Sequence, residues 1–491
     1  MRLVSKRRIR FLIFILFGVF SVFIVSRCVV HFQYNEEIKY YKKFFQQKKD
    51  GLQEIYNPLE IKQIPGDTID DLYANRLDKE LKNNQVIEWS SFAYVNYVTE
   101  ADYLCNTLII FNDLKERFGT KAKLVLLISK DLLDSDTSTN IDHIKSLLEK
   151  IKAIDESQVI IKLVDNIVKP KDTTPWNESL TKLLVFNQTE FERVIYLDND
   201  ATLRSSLDEL FFLPKYIKFA APLTYWFLSE RDLEKSYHEI KFNEKQPINL
   251  GSYTKVLTKR IRKGQMIYNH LPSLPHSLYL NSNNIAQDII SSTSSSSPLF
   301  FFQSSKKVSK LKFASNLMVI SPSKKTFDEI VEVTLPKIIN KKDKYDMDLI
   351  NEEMYNLKKI IYKQFIFFRK VRKLFKPEVL VLPFAKYGLL TGSLKNPKHY
   401  SMISNDVLGY KNLNENGDEI TRNLNDAVTY SKYMHFSDYP IGKPWVYQSI
   451  KDIECNVEKE KSRGLELEPQ ACNVWNSVYE SYMQTREICS V

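Results

Sequence analysis

The sequence predicts an α/β fold in which a mostly parallel sheet carries helices on both faces, behind an N-terminal transmembrane helix. Three observations support that expectation. From about residue 89, apolar runs of strand length alternate with amphipathic patterns of helical period. Those runs are apolar at consecutive positions, as in strands buried on both sides. Residues 11–26, FLIFILFGVFSVFIVS, contain no charge.

The N-terminal elements come first. At 1.5 Å per residue, 11–26 covers roughly 24 Å, and Arg10 and Arg27 can snorkel to extend it toward a hydrocarbon core of about 30 Å. Arg27, Cys28, Val29, Val30 and His31 stand where a small-x-small cleavage site would follow a signal peptide, so an uncleaved signal-anchor is expected. Arg2, Lys6, Arg7, Arg8 and Arg10 precede it, predicting a cytoplasmic tail over 1–10 and a single-pass type II orientation. Residues 27–88, rich in Lys, Glu, Gln and Tyr, read as a lumenal stem, which leaves 89–491 for a globular domain with a C-terminal extension. Two glycosylation sequons, at Asn177 and Asn187, agree with a lumenal domain, although ordinary polar surfaces produce the same triplets.

Charge and cysteine content exclude other classes. Without the five basic residues before the apolar segment and Arg27 after it, the formal charge of +10 falls to +4. No basic stripe with interleaved aromatics remains, so nucleic acid is not an expected partner. Five cysteines are too few for a disulfide scaffold. Of Cys455, Cys472 and Cys489, two are expected to pair in an oxidising lumen; the sequence leaves the choice open.

Within the domain, FAYVNYV, KLVLLIS, VIIKLVD and ERVIYLDND read as strands. Between them ADYLCNTLIIFNDLKERFG, HIKSLLEKIKAI and SLTKLLVFNQTEFE read as helices. Residues 281–298, with the run SSTSSSSP, read as an inserted polar loop. Strands return at LKFASNLMVIS and VLVLPF, with the helix DLINEEMYNLKKIIYKQF between them. In a parallel sheet, ligands bind beyond the C-terminal strand ends.

That rule singles out the end of VIYLDND. Alternate residues of an extended chain face the same way, so Asp198 and Asp200 can converge on one cation. Carboxylate oxygens suit Mg²⁺ or Mn²⁺, which can grip a diphosphate. A bare D-x-D is common in solvated loops; here it follows a buried strand and precedes ATLRSSLDELFFL.

This run resembles the glycogenin-like GT-A glycosyltransferases, a Rossmann-like family in which a strand ends in D-x-D and a segment ending in DELF follows. YVNYVTEADYLCNTL is similar to the family's nucleotide-binding first strand and helix, which implies uridine contacts at Tyr97, Thr99 and Tyr103. Lys182, sixteen residues before Asp198, falls where the family has a donor-binding lysine. HFSDYPIGKPW is similar to the family element H-F-x-G-x-x-K-P-W, though two residues longer between His and Lys. The resemblance implies that His435 completes a Mn²⁺ site with Asp198 and Asp200, and that Gly442 and Lys443 hold the diphosphate. An imidazole beside two carboxylates does favour Mn²⁺ over Mg²⁺, and a lysine supplies a point charge for phosphate. The family's N-x-G turn is replaced by Ala314-Ser315-Asn316, which makes Asn316 a candidate substrate contact in an altered pocket. Asp346 and Asp348 stand where the family has D-Q-x-x-x-N; contact with substrate and capping of the following helix are equal alternatives.

Over its full length the chain resembles the fungal Golgi N-acetylglucosaminyltransferases of the glucose N-acetyltransferase family, including NQTEF, RVIYLDND and KFASNLMVI. That resemblance implies a GT-A catalytic domain in the Golgi lumen, UDP-GlcNAc as the UDP-sugar donor, mannose-containing N-linked glycans as acceptor, and retention at the anomeric carbon. Three alternatives stay open: another nucleotide-sugar donor, an inactive Golgi glycan-binding relative, and a glycoside hydrolase, which would need two carboxyls flanking the bond and no diphosphate grip.

Overall fold

A computed structural model describes residues 14–25, 27–28, 61–83, 86–134, 141–174, 176–233, 311–357, 378–403, 423–462 and 466–490, with single positions at 259, 271, 274 and 464. The expected tail (1–10), much of the expected stem and the inserted loop at 281–298 lie outside the described residues.

A seven-stranded sheet forms the centre. Its strands are β1 (Phe92–Val98), β2 (Lys123–Ser129), β3 (Val159–Val164), β4 (Arg193–Leu197), β6 (Phe219–Ala221), β7 (Leu317–Ile320) and β8 (Val379–Val381), in the order β3-β2-β1-β4-β7-β6-β8. Pairing is parallel except at β7, which runs antiparallel to both β4 and β6. The sheet is therefore mixed and mostly parallel, as the consecutive apolar runs predict. β4 is buried at every position, and β1 and β2 are buried at all but one each.

The two faces of β1 have different covers, because alternate side chains point opposite ways. Phe92 and Tyr94 pack on Phe211 of the DELFF turn. Tyr97 points with Tyr196 toward Lys182 in the segment Ser179–Asn187. Helices α1 (Gly66–Asn83), α2 (Ala101–Asn112) and α3 (Ile141–Ile154) complete the cover. Residues 61–83, within the expected stem, pack on this body: Ile64 donates its N–H to the Val381 carbonyl, Lys386 pairs with Asp70, and Tyr73 stacks on Phe212. The segment SLTKLLVFN, predicted to be an α-helix, is a run of 3₁₀ turns instead.

A second, three-stranded sheet joins β5 (Ala201–Leu203), β9 (Leu389–Leu390) and β10 (Tyr433–His435), with β10 in the middle. Beyond it, helix α4 (Pro469–Thr485) is buried through Cys472, Trp475, Tyr479 and Tyr482. The C-terminal segment is tied down covalently: Cys455 pairs with Cys472, and Cys489 pairs with Cys105 in α2. The expected pair among the three C-terminal cysteines is thus Cys455–Cys472, whereas the partner of Cys489 comes from the other end of the domain.

One expectation is overturned. No described helix is long and apolar enough to cross a membrane. In the apolar segment the described helical residues are 14–25 and 27–28. The N-terminal transmembrane anchor, and with it the single-pass type II placement in a Golgi membrane, is accordingly withdrawn.

Replacing Cys105 and Cys489 together by serine should lower the unfolding free energy by about 2–5 kcal/mol, because the link closes a very long loop. A denaturant titration measures that loss.

Candidate active site

The site lies where β4 ends. β1 and β4 are parallel neighbours with ends at one rim, and β2 and β3 lie on the far side of β1. This is the crevice position expected of an open parallel sheet. Asn199 closes the rim: its side chain donates to the Tyr97 carbonyl at 2.8 Å, and Asn96 donates to the Leu197 carbonyl at 2.7 Å.

Antiparallel pairing of β5 with β10 then delivers the imidazole. The register sets His435 opposite Ala201, and the Phe436 N–H donates to the Asp200 carbonyl at 2.9 Å. His435 Nε2 lies 2.9 Å from Asp200 Oδ1 and 4.0 Å from Asp198 Oδ2. One ligand atom from each of Asp198, Asp200 and His435 falls within 4.8 Å of the others, and this is the cluster among the described residues able to hold a metal ion. Two hard oxygens and one imidazole nitrogen fit a divalent cation of the Mn²⁺ type. The second ring nitrogen, Nδ1, is buried without a protein hydrogen-bond partner.

Two lysines flank the carboxylates. Lys443 Nζ is 2.7 Å from Asp200 Oδ2. Lys182, 7% exposed, bridges Asp198 at 2.9 Å and Asp346 at 3.0 Å. Burial alone would lower the Lys182 ammonium, but Asp198 and Asp346 together hold its pKa well above the ordinary value. Burial likewise works to raise Asp200, yet His435 and Lys443 outweigh it and keep that carboxyl far below the usual range. For Asp198 burial prevails, and the pKa is raised against the pull of Lys182. Tyr196, two residues before Asp198 on the same face, donates its hydroxyl to it.

The other sequence-predicted residues divide. The Asn316 carbonyl accepts from the Asp198 N–H at 2.8 Å and from the Tyr433 hydroxyl at 2.8 Å, while its side-chain oxygen is buried with no protein partner. Asp346 joins the site through Lys182. Asp348 does not share that contact: it pairs with Lys312 at 2.8 Å and accepts the Tyr345 N–H as part of a capping box. Tyr97 stands 6.2 Å from Tyr196, Thr99 follows at the half-exposed end of β1, and Tyr103 meets Trp445 edge-on at 5.3 Å. Burial pushes the Tyr97 and Tyr103 phenols up, so both remain neutral. The Gly442 N–H donates to the Tyr447 hydroxyl, and a Cβ there would press on that hydroxyl at 3.2 Å. Of the two sequons, Asn187 and Thr189 are exposed, whereas Asn177 is half-buried and Ser179 is buried.

Sequence reading missed Tyr196, Asn199 and Asp438. Tyr196 could have been found from the alternation that identified the aspartates; Asn199 faces the other way, and Asp438 sits where HFSDYPIGKPW departs from its family pattern, so neither left a signal.

No protein-family profile matches the chain. Curated relatives do. Glucose N-acetyltransferase 1 of Saccharomyces cerevisiae is 80% identical over 491 residues and all of both chains. Glucose N-acetyltransferase 1 of Candida glabrata is 54% identical, covering 100% of this chain and 97% of the relative. Glucose N-acetyltransferase 1-B of Kluyveromyces lactis is 40% identical over 99% of each. Among solved structures, the WbbM bifunctional glycosyltransferase is 12% identical with a TM-score of 0.37, over 82% of this chain and 52% of that one. The galactosyltransferase LgtC with donor and acceptor sugar analogues is 10% identical with a TM-score of 0.31, over 78% and 99%. Both structural likenesses are too distant to weigh further.

Substituting Lys182 by methionine leaves Asp198 and Asp346 as buried like charges and should cost about 3–5 kcal/mol of stability, read by urea unfolding. Adding Asp346→Asn should recover part of that loss, since the two sites are coupled.

Proposed function

The chain belongs to the glucose N-acetyltransferase family and is an enzyme, a glycosyltransferase, and on that premise we propose that it transfers N-acetylglucosamine from UDP-GlcNAc to a mannose-containing N-linked glycan. The observation that supports this reading best is the convergence of Asp198, Asp200 and His435 from two sheets, with Lys182 and Lys443 beside them. A hydrolase has no use for such a grip on a diphosphate. An inactive relative has no reason to keep a lysine–carboxylate pair on either side of it.

In this reading residues 89–491 form the GT-A catalytic domain, and Asp198, Asp200 and His435 hold a divalent cation, most suitably Mn²⁺. When bound, the ion supplies Lewis acidity and neutralises charge on the departing UDP. The chain's own groups do the rest. Tyr97, Thr99 and Tyr103 line the rim where the uridine would rest. Lys443 exchanges Asp200 for a phosphate oxygen, and the Gly442 backbone closes on the diphosphate. Lys182, kept cationic by its two aspartates, adds stabilisation in the same direction. Asn316 and Asp346 face the transferred sugar, with Asp348 behind them as a helix cap.

Asp200→Asn should lower donor-dependent UDP release at least about 100-fold with Mn²⁺ and a mannoside acceptor, while the melting transition stays cooperative. Normal turnover in that variant defeats the metal assignment. Release from UDP-glucose or UDP-galactose, but not from UDP-GlcNAc, defeats the donor.

A further inference from the structure

The loop between His435 and Lys443 is anchored by a carboxylate that neither the metal cluster nor the diphosphate grip uses. Asp438 has a side chain only 1% exposed. Its Oδ1 accepts the indole N–H of Trp475 at 2.7 Å, and its Oδ2 accepts the Tyr479 hydroxyl at 2.6 Å. Thr391 donates its hydroxyl to the same oxygen. The nearest cation, Lys395, is 3.8 Å away and rests over the Trp475 ring at 4.0 Å. Three neutral donors and one offset lysine thus share a buried charge, an arrangement that is costly to disturb because each donor would lose its acceptor.

Every element in that network bears on the site. Trp475 and Tyr479 belong to α4, whose Cys472 is bonded to Cys455. The Thr391 hydroxyl also accepts the Ser437 N–H at 3.1 Å and lies 3.3 Å from the His435 carbonyl. Gly392 lets the two segments touch: a Cβ there would stand 2.4 Å from the Ser437 carbonyl oxygen. The Asp438 carbonyl accepts the Ile441 N–H at 2.8 Å, which folds the loop back so that Lys443 reaches both Asp200 and the Phe436 carbonyl.

We propose that Asp438 is a positioning residue: by tying the 435–443 loop to α4 and to Thr391, it fixes His435 and Lys443 against Asp200, and so makes the C-terminal segment part of the metal and diphosphate site. This rests on the assignment of that site above. The expected consequence is specific. Loosening Asp438 should weaken metal and nucleotide binding in protein that is still folded, which a residue of purely structural weight would not do.

The test is calorimetric titration of the whole protein with Mn²⁺ in the presence of UDP, at a temperature well below melting, for wild type, Asp438→Asn and Tyr479→Phe. Asp438→Asn should raise the Mn²⁺ Kd at least tenfold. Tyr479→Phe removes one donor and keeps the ring, and should raise it severalfold, which carries the test if the asparagine variant does not fold. Wild-type affinity in folded Asp438→Asn, or in Tyr479→Phe when the asparagine variant is unfolded, overturns the positioning role alone. A wild type that binds no Mn²⁺ with UDP overturns the site assignment and this role together.

Discussion

The site depends on one short backbone pairing. β5 follows directly after the acidic end of β4, and β10 lies beside it antiparallel, with His435 opposite Ala201. Asp200 and Lys443, 243 positions apart, meet because of that register. A shift of one residue would turn the imidazole to the opposite face of its strand. The Asn316 carbonyl reinforces the same geometry by binding the Asp198 amide and the Tyr433 hydroxyl at once. The strand register therefore sets where the cluster forms.

Charge balance is the second constraint. Asp198, Asp200 and Asp346 are crowded into a poorly solvated rim, where mutual repulsion is strong. Lys182 offsets Asp198 and Asp346, while Lys443 and His435 offset Asp200. The pairs are unequal in a useful way. Lys182 is held between two carboxylates at 7% exposure, whereas Lys443 is 35% exposed with one carboxylate partner. The second lysine is the freer of the two to change partners when an anionic ligand arrives.

Much of this was legible in the sequence, for identifiable reasons. Strands β1, β2 and β4 are short, mostly apolar runs with β-branched or aromatic residues, which favours strand over helix at that length. The aspartates stood out because they end such a strand. Segment 179–187 misled because its apolar spacing is helical. In the fold, the Thr181 hydroxyl accepts the Ile167 N–H and Lys182 is drawn into the site, so tertiary contacts override the helical propensity. The Cys105–Cys489 link spans 384 positions and leaves no local trace. The apolar N-terminal run misled in another way: hydropathy reports what a segment avoids, and no described helix is long and apolar enough to cross a bilayer.

The covalent tether between Cys105 in α2 and Cys489 has a consequence for biogenesis. A chain still emerging from the ribosome can pair β1 through β4 once those strands are clear, yet it then owns only the acidic half of its clamp. The imidazole, the Lys443 ammonium and the helix that braces them are all translated afterwards, and the closing cysteine follows later still. Folding of the scaffold and acquisition of chemistry are thus separate events in time, and competence is conferred by residues synthesised long after the scaffold.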